Sequence, residues 1–197
     1  RGLGELYKRK EDGYCFNRWK QVVTTLIEKE PGDPRIHRLR VIHPYEDCYN
    51  LLLGLTYRKS LHAAEDQDVL HEGNYGSRPC RSSLDPIGIE VLQTEYSHLT
   101  RLAHLKFSND ADSCYNRIIV NLASIISLCH DVPPEVASIQ GQMLEHAKYY
   151  IKTGLGISDK SYSHSDDARI DGTGQGSGGS PTVWGILNTS DTRDGGE

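Results

Sequence analysis

The feature that most constrains the fold is a glycine- and serine-rich segment at residues 174–181, followed directly by the apolar residues 183–187. Glycines let a backbone approach a neighbour where no side chain would fit. Ser180 followed by Pro181 is a strong signal for the start of a helix, because proline is tolerated in the first helical turn. The segment therefore predicts a tight turn that opens a helix. Taken alone, the same composition is equally typical of a flexible connector.

A second informative stretch spans residues 105–118, which predict a short apolar strand, an acidic turn and then a helix. Asp110 stands at the end of that strand, and Tyr115 follows five positions later. Each residue also has an ordinary structural interpretation. Asp110 could cap the next helix, and Tyr115 could be a core aromatic residue. The order and spacing of the two stretches together favour a functional interpretation.

Together, the two segments resemble the palm of reverse transcriptases, the RNA-directed DNA polymerases. The segment at residues 174–181 contains the turn Gln-Gly-Ser-x-x-Ser-Pro. In this family, such a turn opens a palm helix on which the template base and the primer end are set against the incoming nucleotide. The resemblance implies that Gln175 and Gly176 bind the nucleotide. It implies template contacts for Ser177, Ser180 and Pro181.

The resemblance also implies the chemistry. In nucleotidyl transfer the attacking and leaving oxygens are in line, and two divalent ions stabilise the charge on both. Asp110 would be the catalytic carboxylate and a ligand of Mg²⁺, for which Mn²⁺ could substitute. Tyr115 would lie beneath the nucleotide sugar and select deoxynucleotides. The implied partners are an RNA template, a DNA primer and deoxynucleoside triphosphates.

A basic strand is predicted over residues 35–46, where basic and apolar residues alternate before a proline. Arg38 and Arg40 have the same parity, so they would project from one face of the strand. In reverse transcriptases a strand of this kind in the fingers grips the nucleotide triphosphate, and a planar guanidinium can bind two phosphate oxygens at once. The resemblance implies nucleotide-binding roles for Arg40 first and Arg38 second. The alternative is a solvated basic edge strand.

Residues 72–85 contain glycine, an aromatic residue and two arginines in an order that resembles the family's template-contacting loop. The resemblance implies that Arg78 and Arg81 meet template phosphates and that Tyr75 stacks on a base. A glycine- and proline-containing turn with two solvated arginines is the alternative.

The remaining hydrophobic pattern predicts five helices, at residues 17–30, 49–64, 86–105, 114–129 and 134–150. The fourth is apolar enough that we expect it in the core. This order of elements is typical of the α+β class. The resemblance implies a right-hand polymerase architecture, with helix-rich fingers and a partial palm in which an antiparallel sheet packs on helices. We expect fingers and a template-contact region at 1–104, a partial palm at 105–187, and a polar, disordered tail at 188–197.

The sequence departs from the family pattern in two respects. The family usually has aspartate at the positions that Ser108 and Asn116 occupy. It also has an aromatic-x-Asp-Asp strand after the palm helix, and no Asp-Asp pair follows Leu187. We therefore expect a reverse-transcriptase fragment with little or no activity alone. The alternatives are a non-catalytic relic that binds RNA or DNA, and a helical interaction module unrelated to polymerases.

Composition adds weaker constraints. The net charge of -5 is unusual for a nucleic-acid enzyme, but residues 1–62 carry +4 and the remainder carries -9. The five cysteines lack the paired spacing of a disulfide framework or a zinc site. We find no apolar run long enough to cross a bilayer and no signal-peptide pattern. We expect an intracellular protein, in the cytoplasm or nucleus, without a membrane partner.

Overall fold

The computed structural model describes residues 10–33, 35–106, 113–165 and 169–193. The strands are β1 (Gln21–Glu28), β2 (Leu39–Ile42), β3 (Lys148–Thr153), β4 (Gly156–Ile157) and β5 (Tyr162–Ser163). The α-helices are α1 (Asp47–Asp66), α2 (Leu84–Thr100), α3 (Val120–Cys129), α4 (Pro134–His146) and α5 (Ser180–Arg193). Short 3-10 helices at Ile36–Arg38 and Cys114–Asn116 precede β2 and α3. This mixture agrees with the predicted α+β class.

One small mixed sheet contains all five of these strands, with β1 at its centre beside β3. β1 pairs antiparallel with β2 and parallel with β3, where Val22 lies opposite Tyr149. β4 and β5 both pair antiparallel with β3, at opposite ends of that strand. The sheet therefore combines strands from both sides of the boundary predicted at residue 104.

The helix predicted at residues 17–30 is wrong, because β1 occupies most of this range. Its apolar positions fit a helical face, but the segment is rich in β-branched residues, which favour strands. Burial follows the strand period of two, since Val22 and Thr24 are buried while Gln21 is exposed. The preference of β-branched residues for strands therefore outweighs the helical spacing of the apolar positions.

The helix predicted at 49–64 is confirmed as α1. Its start has a clear physical cause, because the Oε2 atom of Glu46 accepts hydrogen bonds from the backbone N–H groups of Cys48 (2.7 Å) and Tyr49 (3.1 Å). A side chain that accepts from the first free N–H groups caps a helix. The buried face of α1 contributes Tyr49, Leu53 and Tyr57 to the core.

The main core lies between the sheet, α1 and α4. α4 contributes Val136, Ile139 and Met143, all fully buried. Trp19 lies with its ring 5.5 Å from that of Tyr49, in a tilted arrangement favourable for aromatic pairs. Val183, in the first turn of α5, packs in the same cluster. The predicted turn-and-helix segment is thus part of the core.

The other predicted helices are confirmed in part. α2 begins and ends a few residues before the predicted bounds, α3 begins only at Val120, and α4 ends at His146 and gives way to β3. The prediction that residues 114–129 lie in the core is wrong for one face of α3. Ile119, just before α3, is exposed, and so are Leu122, Ile125 and Leu128 within the helix. α3 packs on α4 and α5 through another face, where Ala123 and Ser127 are buried and Ile126 is partly buried.

The short strand expected before Asp110 does not begin at Leu105 or Lys106, which belong to no strand. Asp110 itself and Ser108 lie outside the described residues. At the other end, α5 continues through residues 188–193, the first part of the predicted disordered tail. None of the helices in the described part of the chain combines the length and apolar character that a bilayer crossing requires.

Candidate nucleotide and template site

The turn at residues 172–179 joins three segments that are distant in sequence. Its first contact is with the segment that carries Tyr115. The backbone N–H of Gly172 donates to the carbonyl of Ile118 (2.8 Å), and that of Thr173 donates to the carbonyl of Tyr115 (2.9 Å). The structure therefore brings Tyr115 beside the predicted Gln-Gly-Ser turn.

The same turn is also tied to β2 and α1. The backbone N–H of His43, just after β2, donates to the carbonyl of Gln175 (2.7 Å). In the first turn of α1, the side-chain N–H of Asn50 donates to the carbonyl of Gly176 (3.0 Å), and its Oδ1 accepts from the N–H of Gly178 (2.6 Å). Sequence reasoning missed Asn50, because its partners lie 126 and 128 positions away.

Two glycines of the turn are required by their conformation and by close protein neighbours. Gly174 has φ +78°, and a Cβ atom there would lie 2.2 Å from the hydroxyl oxygen of Tyr45. Gly176 has φ +122°, and its Cβ would lie 2.4 Å from the carbonyl oxygen of His43. These φ values favour glycine over residues with side chains. The expected close approach of the backbone is present, and the neighbours it approaches belong to the protein itself.

The serines of the turn direct their hydroxyl groups inward. Ser180 is buried, and its hydroxyl lies within 3.1 Å of the carbonyl of Thr173 and 3.0 Å of that of Gly174. Ser177 is also buried, and its Oγ accepts from the N–H of Gly179 (3.3 Å). These contacts hold the start of α5 in place. Template contact stays a prediction for Ser177, Ser180 and Pro181, of which the two serines are buried and Pro181 is half-buried.

The β1–β2 hairpin presents Arg40 to solvent, in register with Ile27 of β1. Arg38 lies in the preceding 3-10 helix, with its Nη1 3.8 Å from Oε1 of Glu30. The parity argument for a shared strand face therefore fails, because only Arg40 is in the strand. Arg40 remains the better candidate for a free phosphate-binding cation.

Arg78 makes an internal ion pair. Its Nε and Nη2 atoms each donate to a carboxylate oxygen of Glu65 at 2.7 Å, and its Nη1 donates to the carbonyls of His71 (2.8 Å) and Asn74 (3.2 Å). Its side chain is only 5% exposed. The hydrogen bonds from Arg78 lower the pKa of the Glu65 carboxyl. This guanidinium holds the 71–78 loop against α1, and its expected template contact stays a prediction.

We expect the substitution Arg78→Met to destabilise the fold by about 2 kcal/mol, because it leaves the Glu65 carboxylate and two loop carbonyls without their donors. Arg81→Met is the matched control, since Arg81 is exposed and lies three positions along the same loop. Urea unfolding of both variants measures the difference. Equal stability losses would show that the ion pair of Arg78 contributes nothing specific.

The other two predicted contacts of the template loop, Tyr75 and Arg81, lie against each other. The guanidinium carbon of Arg81 lies 5.8 Å from the ring centroid of Tyr75, within the range of a cation–π contact. Tyr75 is half-buried and Arg81 is exposed. Both therefore stay predicted template contacts, and the ring and the guanidinium would present one joint surface for stacking.

His43 is a site residue that sequence reasoning missed. Its Nδ1 lies 3.1 Å from the hydroxyl of Thr24, and its ring centroid lies 4.9 Å from that of Tyr149. Burial lowers the pKa of His43 to about 4. Folding therefore favours the neutral form of the His43 imidazole. This side chain lies where the sheet meets the glycine- and serine-rich turn.

Acidification should destabilise the protein through His43. The pKa of His43 is about 4 in the folded protein and about 6.5 in the unfolded chain. The contribution of neutral His43 to the free energy of unfolding is therefore complete above pH 6.5 and is lost as the pH falls toward 4. The loss is up to about 3 kcal/mol. Thermal or urea unfolding between pH 7 and 4.5 measures it, with His43→Asn as the control that does not titrate. Parallel pH profiles for both proteins would exclude His43 as the responsible group.

No known family model matches the chain, and a search of curated proteins also found no match. Across the described ranges, no group of three or more His, Cys, Asp and Glu side chains is arranged to hold a metal ion. The predicted ligand Asp110 lies outside those ranges, so the magnesium site stays a prediction from sequence.

Proposed function

We propose that the chain is the fingers and part of the palm of an RNA-directed DNA polymerase with right-hand architecture. The observation that carries this proposal is the convergence at the turn 172–179. There, the Tyr115 segment, the end of the Arg40 strand and the start of α5 meet through backbone hydrogen bonds. These are the segments that the resemblance assigns to the nucleotide site. A chance resemblance in sequence gives no reason for them to meet in space.

In this proposal Arg40 contacts the triphosphate, and Gln175 and Gly176 face the incoming nucleotide. Tyr115 lies under its sugar. Tyr115 is half-buried and packs against the core. Asp110 would hold Mg²⁺, which supplies charge stabilisation at the reacting phosphate. The RNA template would pass along Tyr75, Arg81 and Pro181.

The test is primer extension on an RNA template with Mg²⁺ and deoxynucleoside triphosphates. This chain is compared with a longer version that includes the downstream reading frame. Synthesis by the longer version alone would support a polymerase whose remaining carboxylates lie downstream. Synthesis by neither, with RNA binding retained, would favour the non-catalytic binding relic. Absence of both synthesis and RNA binding would contradict the proposal.

A further inference from the structure

A groove bordered by basic residues lies between α1 and the start of α5. It has a volume of about 350 Å³ and is lined by three parts of the protein, which are α1, the loop at residues 77–79 and the segment from Gly178 to Thr182. Gly54, Arg58 and His62 of α1 form one side. Pro181 and Thr182 of α5 form another. Ligand pockets span roughly 300–1,000 Å³, so this groove is large enough for one nucleotide unit.

The floor of the groove is backbone. A Cβ atom at Gly178 would lie 2.9 Å from the Cα atom of Gly54, so the turn and α1 touch without a side chain between them. Along α1, Gly54, Arg58 and His62 follow each other at intervals of four residues and so share one helix face. The two glycines open the space, and the two basic side chains border it.

Among the described residues that line the groove, Arg58 is the arginine without a carboxylate partner, since Arg78, which also lines it, is paired with Glu65. Glu65 continues the same helix face, but Arg78 binds both of its oxygens. Within the described part of the chain, Arg58 has no ion-pair partner, and both Arg58 and His62 are exposed. A planar guanidinium with free donors binds phosphate oxygens well.

From these observations we infer that the groove binds the phosphate backbone of the single-stranded template, with Arg58 and His62 as phosphate contacts. The inference rests on the proposed function, since it deepens the template path beyond Tyr75, Arg81 and Pro181. Neither basic residue belongs to a segment that the resemblance assigned. Pro181, a predicted template contact, lines the groove, and so does Gly178, two residues after Gly176 of the predicted nucleotide site.

Binding of a labelled oligo-uridylate RNA, followed by fluorescence anisotropy over a salt series, tests the inference. Arg58→Gln should weaken binding roughly three- to tenfold and reduce the log–log salt slope by about 0.7, the value for one phosphate contact on a single strand. Lys59→Gln is the matched control, because it removes the same charge from the same helix outside the groove lining. Equal effects, no effect of Arg58→Gln, or no RNA binding by the parent chain would overturn the inference.

Gly54 offers a second test that leaves the fold intact. A Cβ atom there meets nothing within 4 Å, and replacing a helical glycine favours the helix. Gly54→Glu should weaken RNA binding several-fold relative to Gly54→Gln, which fills the same space without the negative charge. Equal affinities of the two variants would overturn the inference. Complete displacement of the RNA by inorganic phosphate would also overturn the inference, if the inorganic phosphate is added at the same concentration as the phosphate groups of the RNA. That result would indicate a site for a free anion.

These readouts are independent of polymerisation. Primer extension without groove-dependent RNA binding would overturn the inference and leave the proposed function standing. Groove-dependent binding without extension by the longer version would support the inference and remove the enzymatic part of the proposed function.

Discussion

Replacing Gly174 with alanine should destabilise the fold by about 3 kcal/mol. Two costs add. A non-glycine residue at φ +78° pays roughly 1–2 kcal/mol for the left-handed conformation. The new Cβ would also lie 2.2 Å from the hydroxyl oxygen of Tyr45, which is buried and cannot swing away. Relief of such overpacking typically costs about 1–3 kcal/mol. Urea unfolding measures the total.

Two variants separate these costs. Gly32 has a similar φ of +85° but meets nothing within 4 Å, so Gly32→Ala should show the conformational cost alone. Tyr45→Phe removes the clashing oxygen, so Gly174→Ala should cost less in that background, in a double-mutant cycle. If Gly174→Ala costs no more than Gly32→Ala, the turn does not pack on Tyr45 as described. RNA binding by each folded variant would then report whether the turn also supports the template path.

The parts of the fold that local chemistry specifies could be predicted from the sequence. Ser180 and Pro181 predicted the start of α5, and α1 followed from its hydrophobic period. Glu46 caps α1 within three residues, so its start is encoded locally. The glycines of the turn were correctly expected to allow close backbone approach, but the sequence did not identify Tyr45 and His43 as the neighbours. That information depends on tertiary contacts.

Long-range pairing explains the errors. β1 appears helical in isolation, because the strand that completes its burial, β3, lies more than a hundred residues further along the chain. In the sequence, Arg78 cannot be told from a solvated loop arginine, because its partner Glu65 lies on α1 and meets it only in the folded structure. The apolar composition of α3 did not indicate which face of the helix would be buried and which would be left exposed. For the candidate site, the sequence identified segments that meet, while Asn50 and His43, which connect them, carry no local signal.

Asp110→Asn should abolish synthesis in any version of the chain that extends a primer. If Asp110 is a metal ligand, removing its charge costs several kcal/mol of transition-state stabilisation, a loss of about a thousandfold or more in rate. The matched control is Asp112→Asn, which removes the same charge two residues away from the predicted ligand position. Primer extension with Mg²⁺ compares the two, with thermal unfolding to confirm that both fold. Unchanged synthesis by Asp110→Asn would exclude it as the ligand. An equal loss in both variants would show that acidic charge in this segment, and not one coordinating carboxylate, supports activity.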